Sequence, residues 1–252
     1  MARRSGTGIV LSHVEFDLLW EDLGAGDPPY PLEVPSHGET LAERDALGAQ
    51  VFRTLTEAGL ADGDDVAPEL EDLFGYLTGS TLSVDALVFR PQPWRVLAAV
   101  RGSRGVLAVL NDREVALEPI TDPVPAIAKV IGNAQAGPGD QVRLPRTAFS
   151  AAVDAYATGG YAALERALAQ AGVTGRATRA LTTLLESGRG AAGQLAATGP
   201  GGRTPVLSWT DTTAGRYAMA AEDVAGEPWV RIAPADGPAL VRHLAVLLDE
   251  VR

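Results

Sequence analysis

The chain has 252 residues, of which 46% are hydrophobic, and it contains no cysteine. Disulfides, cysteine-ligated zinc, iron–sulfur clusters and thiol catalysis are therefore excluded, and a reducing cytoplasm is the simplest location. The net charge of −11 is concentrated in residues 1–72, which hold sixteen acidic side chains and four arginines, so this polarity argues against a nucleic-acid partner.

The acidic N-terminal third predicts neither an export signal nor a membrane anchor. Arg3 and Arg4 form a pair, but acidic residues interrupt every apolar run that follows. No stretch of the chain approaches the length of a membrane-spanning helix. We expect a cytoplasmic protein without membrane insertion, whose acidic residues form a solvated face or a docking surface for a basic partner.

Two capping boxes predict the first two helices. The motif SHVE at 12–15 places a glutamate three residues after a serine, and TLAE at 40–43 repeats the arrangement with threonine. Apolar residues follow each box at helical spacing, and each pattern ends at a glycine, Gly24 or Gly59. The proline-rich segment between them, GDPPYPLEVPSHG, predicts an extended edge segment instead of a helix.

A third helix and a set of strands follow. The segment PELEDLFGYL carries an apolar stripe at helical spacing, formed by Leu70, Leu73, Phe74 and Leu77. Four short β-prone runs then predict an antiparallel meander, in LSVDALVFR, WRVLAAV, VLAVL and EVALEP. TDPVPAIAKVIG predicts a short helix, and GNAQAGPGD predicts a linker.

The second half repeats this order of elements. QVRL predicts a strand, three helical segments follow between residues 146 and 188, and four strands come next in GQLAAT, TPVLSW, GRYAMA and PWVRIAP. The closing helix DGPALVRHLAVLLDEV is predicted to be apolar on one face, formed by Leu240, Leu244, Leu247 and Val251.

Each half therefore has the order β-α-α-α-β-β-β-β-α. We interpret the chain as one α+β domain, 1–252, with pseudo-repeats at about 1–132 and 140–252 and a linker at 132–140. The duplication predicts pseudo-twofold units around a central, mainly antiparallel sheet, with helical bundles on its faces. Chance similarity between two α+β runs is the alternative.

The string GRGAAG, at 188–193, matches the G-x-G-x-x-G pattern of dinucleotide-binding folds. That fingerprint needs a strand before the first glycine and a helix after the last, because the pyrophosphate binds at a helix N-terminus. Here a predicted helix ends at Gly188 and a strand follows. The string is typical of a structural turn, so no cofactor is expected.

No other motif predicts catalysis or metal binding. The three histidines, His13, His37 and His243, are not spaced as a helical metal-binding pair. No G-x-S-x-G elbow supports a hydrolase, and the acidic loop DGDDVAPE lacks the central glycine and final glutamate of a calcium loop. We therefore expect no enzyme, no cofactor and no metal.

Aromatic residues concentrate on the last strands. Trp209, Tyr217 and Trp229 fall on successive strands, where cross-strand packing would gather them on the sheet. Core filling is the default interpretation, and an apolar groove that receives a partner is the alternative. Arg216 and Asp211 are placed to pair across the turn and stabilise the hairpin, with a surface ion pair as the default.

The chain resembles a known family at both ends. IVLSHVEFDLLWEDLG and PSHGETLAER are similar to the start of EspG proteins, the ESX (type VII) secretion-associated chaperones of actinobacteria. GQLAATG, TPVLSWTDTTAGRY and WVRIAPADGPALVRHLAVLL extend the resemblance over about residues 8–250. Its W-x-D-T-x-x-G-R-Y hairpin comprises Trp209, Asp211, Thr212, Gly215, Arg216 and Tyr217.

The resemblance implies a non-enzymatic, cytosolic chaperone with pseudo-twofold symmetry. Family members shield the apolar tip of a helical-hairpin substrate of the PE–PPE type until export, using the central sheet and the C-terminal helical bundle, here residues 146–187. The residues we predict to contact the partner are Trp209, Tyr217 and Trp229 on the sheet, and Leu164, Leu168 and Leu181 on the bundle.

Two other classes of function remain open from the residues alone. One is a small-molecule-binding regulator or an enzyme with a pocket between the two halves. The other is a homodimeric scaffold that pairs through an exposed sheet edge. A cavity with converging polar or titratable groups would favour the first, and an open apolar groove favours the chaperone.

Overall fold

The computed structural model describes all 252 residues, Met1–Arg252. The chain forms two compact units, the first made of residues 1–127, 197–203 and 248–252, and the second of residues 128–196 and 204–247. Seven helices and fourteen strands are present, and within each unit the paired strands run antiparallel. The predicted α+β class is confirmed.

The first unit begins with two short strands, which are followed by three helices, the predicted meander and the start of a fourth helix. Its strands follow the order β1-β2-β8-β7-β6-β5 across the sheet, and β3 pairs with β4. The elements are β1 Arg3–Ser5, β2 Gly8–Ser12, α1 His13–Asp22, α2 Leu41–Glu57, β3 Ala61–Asp62, β4 Asp65–Val66, α3 Pro68–Thr78, β5 Leu82–Phe89, β6 Trp94–Arg101, β7 Arg104–Leu110, β8 Glu114–Ile120 and the start of α4 Pro123–Ile131.

Both predicted capping boxes are present, but their environments differ. Ser12 caps α1 and Thr40 caps α2, each with reciprocal hydrogen bonds to a glutamate at the third helical position. Glu43 of the second box is exposed, whereas Glu15 of the first is only 4% exposed. Glu15 accepts hydrogen bonds from the Ala2 backbone N–H at 2.7 Å and from Thr54 Oγ1 at 3.0 Å. It therefore joins the residue before β1, the end of β2, α1 and α2.

The core of the first unit lies between its helices and one face of its sheet. The four residues of the predicted α3 stripe are all buried. Phe74 from this stripe packs against Phe16 and Trp20 of α1, with ring centroids 5.3 and 5.6 Å away. Aromatic contacts of this kind join α1 to α3 over the sheet.

The proline-rich segment at 26–38 does not form the extended edge strand that the sequence predicted. It pairs with no strand and follows an irregular path. Leu32 in its centre is fully buried, and Arg44 of α2 donates to the His37 carbonyl at 2.7 Å and to Ser36 Oγ at 2.8 Å. A buried leucine and side-chain hydrogen bonds fix this segment where strand pairing was expected.

The second unit repeats the order strand, helices, strands, helix. Its strands follow the order β10-β12-β13-β14-β9, and β11 with the end of β10 belongs to the first unit. The elements are β9 Val142–Pro145, α5 Arg146–Gln170, α6 Arg176–Glu186, β10 Arg189–Gly199, β11 Gly202–Arg203, β12 Leu207–Thr212, β13 Gly215–Val224, β14 Glu227–Pro234 and α7 Gly237–Glu250.

Glycines divide the helical part of this unit as predicted. Gly160 interrupts α5 with φ 63° and ψ −156°, which only glycine adopts readily, so residues 146–186 contain three helical segments. α6 ends at Ser187, and Gly188 leads directly into β10. The helix-to-strand context of GRGAAG is confirmed.

The predicted apolar face of the closing helix is wrong at one of its four positions. Leu240, Leu244 and Val251 are buried, but the fourth buried position is Leu248, which has no exposed surface, while Leu247 is half-buried. Helical spacing alone does not separate Leu247 from Leu248, but the compact units do, because Leu248 and Val251 belong to the first unit and Leu247 to the second. None of the seven helices combines the length and hydropathy needed to cross a bilayer.

Replacement of Glu15 by alanine should destabilise the protein. The change leaves the backbone N–H groups of Ala2 and Ser12 without their acceptor, so the free energy of unfolding should fall by about 2–3 kcal/mol in urea titrations at neutral pH. Glu43→Ala is the matched control in the exposed box and should cost at most about 1 kcal/mol. Equal losses in the two variants would contradict the structural role of Glu15.

The effect should also depend on pH. Burial by itself raises the pKa of Glu15, but the hydrogen bonds from Ser12, Ala2 and Thr54 outweigh it and the net pKa is lowered. A lowered folded-state pKa stabilises the protein above the ordinary glutamate pKa, and this contribution is lost as pH falls. The difference between wild type and Glu15→Ala should therefore shrink in acid.

Candidate partner-binding surface

Helices lie on both faces of the sheet of the second unit, α7 on one and α5 and α6 on the other. The register pairs Trp209 with Ala218 and Thr210 with Tyr217. Neighbouring residues on a strand point to opposite faces, so Trp209 and Tyr217 lie on opposite sides of the sheet. We call the side of Trp209 the α7 face and the side of Tyr217 the bundle face. The predicted gathering of the aromatic residues does not occur.

The bundle face is covered in part by α5 and α6, which pack on β9 and β14. Leu164, Leu168 and Leu181 from the helices form a buried cluster with Tyr217 and Ile232 of the sheet. This cluster is the hydrophobic core of the second unit. It brings together four of the six residues predicted to contact a partner.

The α7 face carries charged side chains at its outer end. Glu222 accepts hydrogen bonds from Arg231 Nε at 2.7 Å and from Arg143 Nε at 2.8 Å, which links three strands. His243 of α7 lies 3.3 Å from Arg231, between its Nε2 and the guanidinium Nη1. Burial lowers the pKa of His243, and the nearby charges of Arg231 and Arg242 lower it further.

Five of the six predicted contact residues have almost no exposed surface. Trp209, Tyr217, Leu164, Leu168 and Leu181 are each at most 2% exposed, and Trp229 alone is half-buried. Trp229 lies opposite Glu222, on the α7 face and away from the buried cluster. These five side chains fill the core of the free chain, so their contact with a partner stays a prediction.

The Asp211–Arg216 pair is buried on the arginine side, not on the surface as expected. Arg216 is 1% exposed and donates through Nε to Asp211 Oδ1 at 2.6 Å and through Nη2 to Oδ2 at 3.0 Å. Its Nη1 donates to the Gly132 carbonyl at 2.9 Å, and its guanidinium lies 4.8 Å from the Trp209 ring centroid. A bidentate pair, a carbonyl and a ring face together replace water around this charge.

The predicted linker at 132–140 packs closely on the hairpin. Its Gly137 N–H donates to the Arg216 carbonyl at 3.1 Å, and the Arg216 N–H donates to the Gln135 carbonyl at 2.8 Å. The Tyr217 hydroxyl donates to the Pro138 carbonyl at 2.8 Å. A Cβ atom on Gly137 would overlap the Tyr217 ring, which explains the glycine there. The segment is thus an ordered part of the second unit.

Tyr217 connects this segment to the bundle. Burial raises the pKa of its hydroxyl, although a hydrogen bond with Thr183 of α6 and the charge of Arg179 oppose the shift. Leu181 of α6 and Tyr217 of β13 also belong to one buried cluster, so this part of α6 lies beside Tyr217. The residues that follow Thr183 on the helix, Leu184 and Leu185, are half-buried and pack against the core cluster.

Half-buried residues lie around Tyr217 on the bundle face of the sheet. Met219 is two residues beyond Tyr217 on β13, and the same face continues through Ser208 and Thr210 of β12 to Gln194 of β10. We define the sheet–bundle surface as Gln194, Ser208, Thr210 and Met219 of the sheet with Leu184 and Leu185 of α6. Strand alternation places Met219 on the same face as Tyr217, so its position could be predicted from the sequence. No pattern in the sequence indicates that Met219 is only half-buried.

No three histidine, aspartate or glutamate side chains lie together in a way that could hold a metal ion. The sheet–bundle surface itself combines three polar and three apolar side chains and includes no charged group. Such a surface can bind another protein by burial and hydrogen bonding.

The comparison with known proteins agrees with this architecture. The sequence model of the EspG family matches residues 12–245. The fold is similar to that of the Mycobacterium tuberculosis type VII secretion system chaperone EspG5, whose structure was solved in complex with the PE25–PPE41 dimer. The TM-score is 0.76 at 19% identity, over 98% of this chain and 97% of that chain. Among curated protein sequences none matches.

Removal of the Asp211 carboxylate should destabilise the second unit strongly. Asp211→Ala leaves the buried guanidinium of Arg216 without its counter-charge, so the free energy of unfolding should fall by about 3–5 kcal/mol in urea titrations. The matched control is Asp249→Ala, which removes an exposed ion pair with Arg252 and should cost less than about 0.5 kcal/mol. A similarly small loss for Asp211→Ala would contradict the buried role of Arg216.

Proposed function

The chain belongs to the EspG family, and we propose that it is a cytosolic chaperone of type VII secretion. In this role it binds the apolar tip of a helical-hairpin substrate of the PE–PPE type and keeps the substrate soluble until export. The observation that carries the proposal is the family match over residues 12–245. The EspG5 structure supports it, because that chaperone shares this fold and was solved with a PE25–PPE41 dimer.

We place the contact on the sheet–bundle surface. Leu184, Leu185 and Met219 are apolar, half-buried and next to the core cluster, so they can bury further surface against a partner without leaving their own packing. Methionine adapts its side chain to irregular surfaces, which suits binding of a hairpin tip. Ser208, Thr210 and Gln194 supply hydrogen-bonding groups beside them, which suit the unpaired backbone groups at the ends of helices.

The buried residues predicted from the sequence have a different part in this proposal. Leu164, Leu168, Leu181 and Tyr217 support the surface from below, because they form the core against which its apolar residues pack. Trp209 supports the opposite face through Arg216. Trp229 retains enough exposed area for direct contact at the edge of the α7 face.

Binding in this proposal is non-covalent, and we assign no catalytic role to any residue. A few apolar anchors should supply most of the binding free energy, and polar residues around them should set specificity. The direct test is co-expression of the chain with the helical-hairpin products of neighbouring genes, followed by size-exclusion chromatography. Co-elution at one defined stoichiometry supports the function, and failure of every neighbouring product to co-elute or gain solubility contradicts it.

Charged substitutions on the sheet–bundle surface should weaken the complex. Met219→Asp and Leu184→Asp each place a carboxylate in the buried contact, so each should raise the Kd for the co-eluting substrate by roughly 30-fold or more in calorimetric titrations. Phe89→Asp is the matched control, because Phe89 is 51% exposed and lies in the first unit. Its Kd should stay within about twofold of wild type.

Thermal unfolding separates this result from loss of fold. The half-buried positions should tolerate aspartate with a cooperative transition, since neither side chain is part of the fully buried cluster. Undiminished binding by both variants would place the contact elsewhere on the chain and leave the family function intact.

A further inference from the structure

A pocket of about 560 Å³ lies within the second unit, on the α7 face of the sheet. Its walls come from the last turn of α4 and the first turns of α7, and its volume is typical of small-molecule sites, which span roughly 300–1,000 Å³. This side of the sheet is opposite to the sheet–bundle surface, so the pocket is separate from the proposed chaperone contact. Its apolar lining consists of Ala128, Ile131, Leu240, Val241 and Leu244.

Arg216 supplies a polar group inside this apolar lining. A guanidinium has five N–H donors, and Arg216 uses four of them on Asp211 and on the carbonyls of Gly132 and Ile131. The remaining N–H is on Nη1, in a side chain that is 1% exposed and lines the pocket. Each guanidinium nitrogen already donates one hydrogen bond, and a ligand oxygen in the pocket can accept the one N–H that these partners leave over.

Both charged side chains that line the pocket are arginines. Arg216 and Arg242 line it, and no acidic side chain does. Asp211 compensates the charge of Arg216 from the other side, while Arg242 is exposed and adds a positive charge at the pocket wall. Gly237 and Pro238 also line it, at the N-terminus of α7, where the Ala239 N–H donates to Asp236 Oδ1 at 2.7 Å and the Gly237 N–H to the Ala134 carbonyl at 3.2 Å, so the helix end is already capped.

We propose that this pocket binds a small monocarboxylate with an apolar body, of the chemical class of medium-chain fatty acids. The carboxylate accepts the remaining Nη1 hydrogen of Arg216, and the hydrocarbon lies against Ile131, Leu240 and Leu244. A neutral apolar ligand would leave the buried donor unsatisfied, and a cationic one would face Arg242. This ligand site is additional to the chaperone function and does not depend on it.

Calorimetric titration of the full chain with three matched probes tests the ligand class. Decanoate, decan-1-ol and decylamine share a chain length and differ in the head group. We expect one saturable site per chain for decanoate, with a Kd at least about tenfold lower than for decan-1-ol, because a charge-assisted hydrogen bond is added. Equal affinities for all three, or no saturable binding of decanoate up to about 1 mM, overturn the proposal.

Substitutions in the pocket locate the site. Ala128→Phe and Val241→Phe fill it from opposite walls, and each should raise the Kd for decanoate at least about tenfold. Arg242→Gln should raise it about threefold and leave decan-1-ol unaffected, whereas Arg146→Gln, an exposed arginine on α5, should change neither.

Thermal unfolding is recorded for both Ala128→Phe and Val241→Phe beside their decanoate titrations. A single variant that fails to fold then does not decide the result. Loss of decanoate binding in a variant that still unfolds cooperatively supports the pocket. Undiminished binding in a folded variant places the fatty acid elsewhere, as in non-specific adsorption to apolar surface, and overturns it. Substrate co-elution is expected to be normal in the same variants, which keeps this outcome distinct from that of the chaperone proposal.

Discussion

The buried guanidinium of Arg216 is the interaction on which the second unit depends. Removing a charge from water costs several kcal/mol, and the cost is offset only when counter-charge and acceptors are held in place. Here they come from two separate parts of the chain: Asp211 and Trp209 from β12, and Gly132 from the residue that follows α4. Meeting these requirements fixes the β12–β13 hairpin, the exit of α4 and the path of residues 132–140 together.

The same hairpin also connects Arg216 to the bundle face of the sheet. The backbone of Arg216 pairs with Gln135 and Gly137, and the adjacent Tyr217 hydroxyl bonds to Pro138. Tyr217 then meets Thr183 of α6. Two neighbouring residues on one strand thus hold the segment 132–140, the sheet and the bundle in register. A sheet whose two faces are coupled in this way is a rigid support for whatever binds to either face.

Local signals in the sequence predicted the helices and the longer strands of this fold, but not the short strands β1, β3, β4 and β11. The capping boxes at Ser12 and Thr40, the division of the region 146–188 into three helical segments and the glycine after α6 are each decided within a few residues, and all were predicted. The burial of side chains and the register of strands depend on residues that are distant in the sequence, and these were not predicted. The alternation of β12 and β13 separates Trp209 from Tyr217, and the proline-rich segment is fixed by Arg44 and a buried leucine instead of a strand. No local pattern encodes these contacts.

The candidate site illustrates why a chaperone surface is harder to predict than a catalytic one. Catalytic groups are identified by residue type, whereas an apolar anchor has the same composition as the core. Leu181 and Leu184 lie on the same helix, yet the first is 1% exposed and the second is half-buried. Only their position relative to the sheet determines that Leu181 is part of the core and that Leu184 has surface left for a partner. A rigid support lowers the entropy cost of binding, because fewer side chains must be ordered when a partner arrives. In the complex that we propose, the buried residues that the sequence singled out contribute to recognition through the surface that they hold in place.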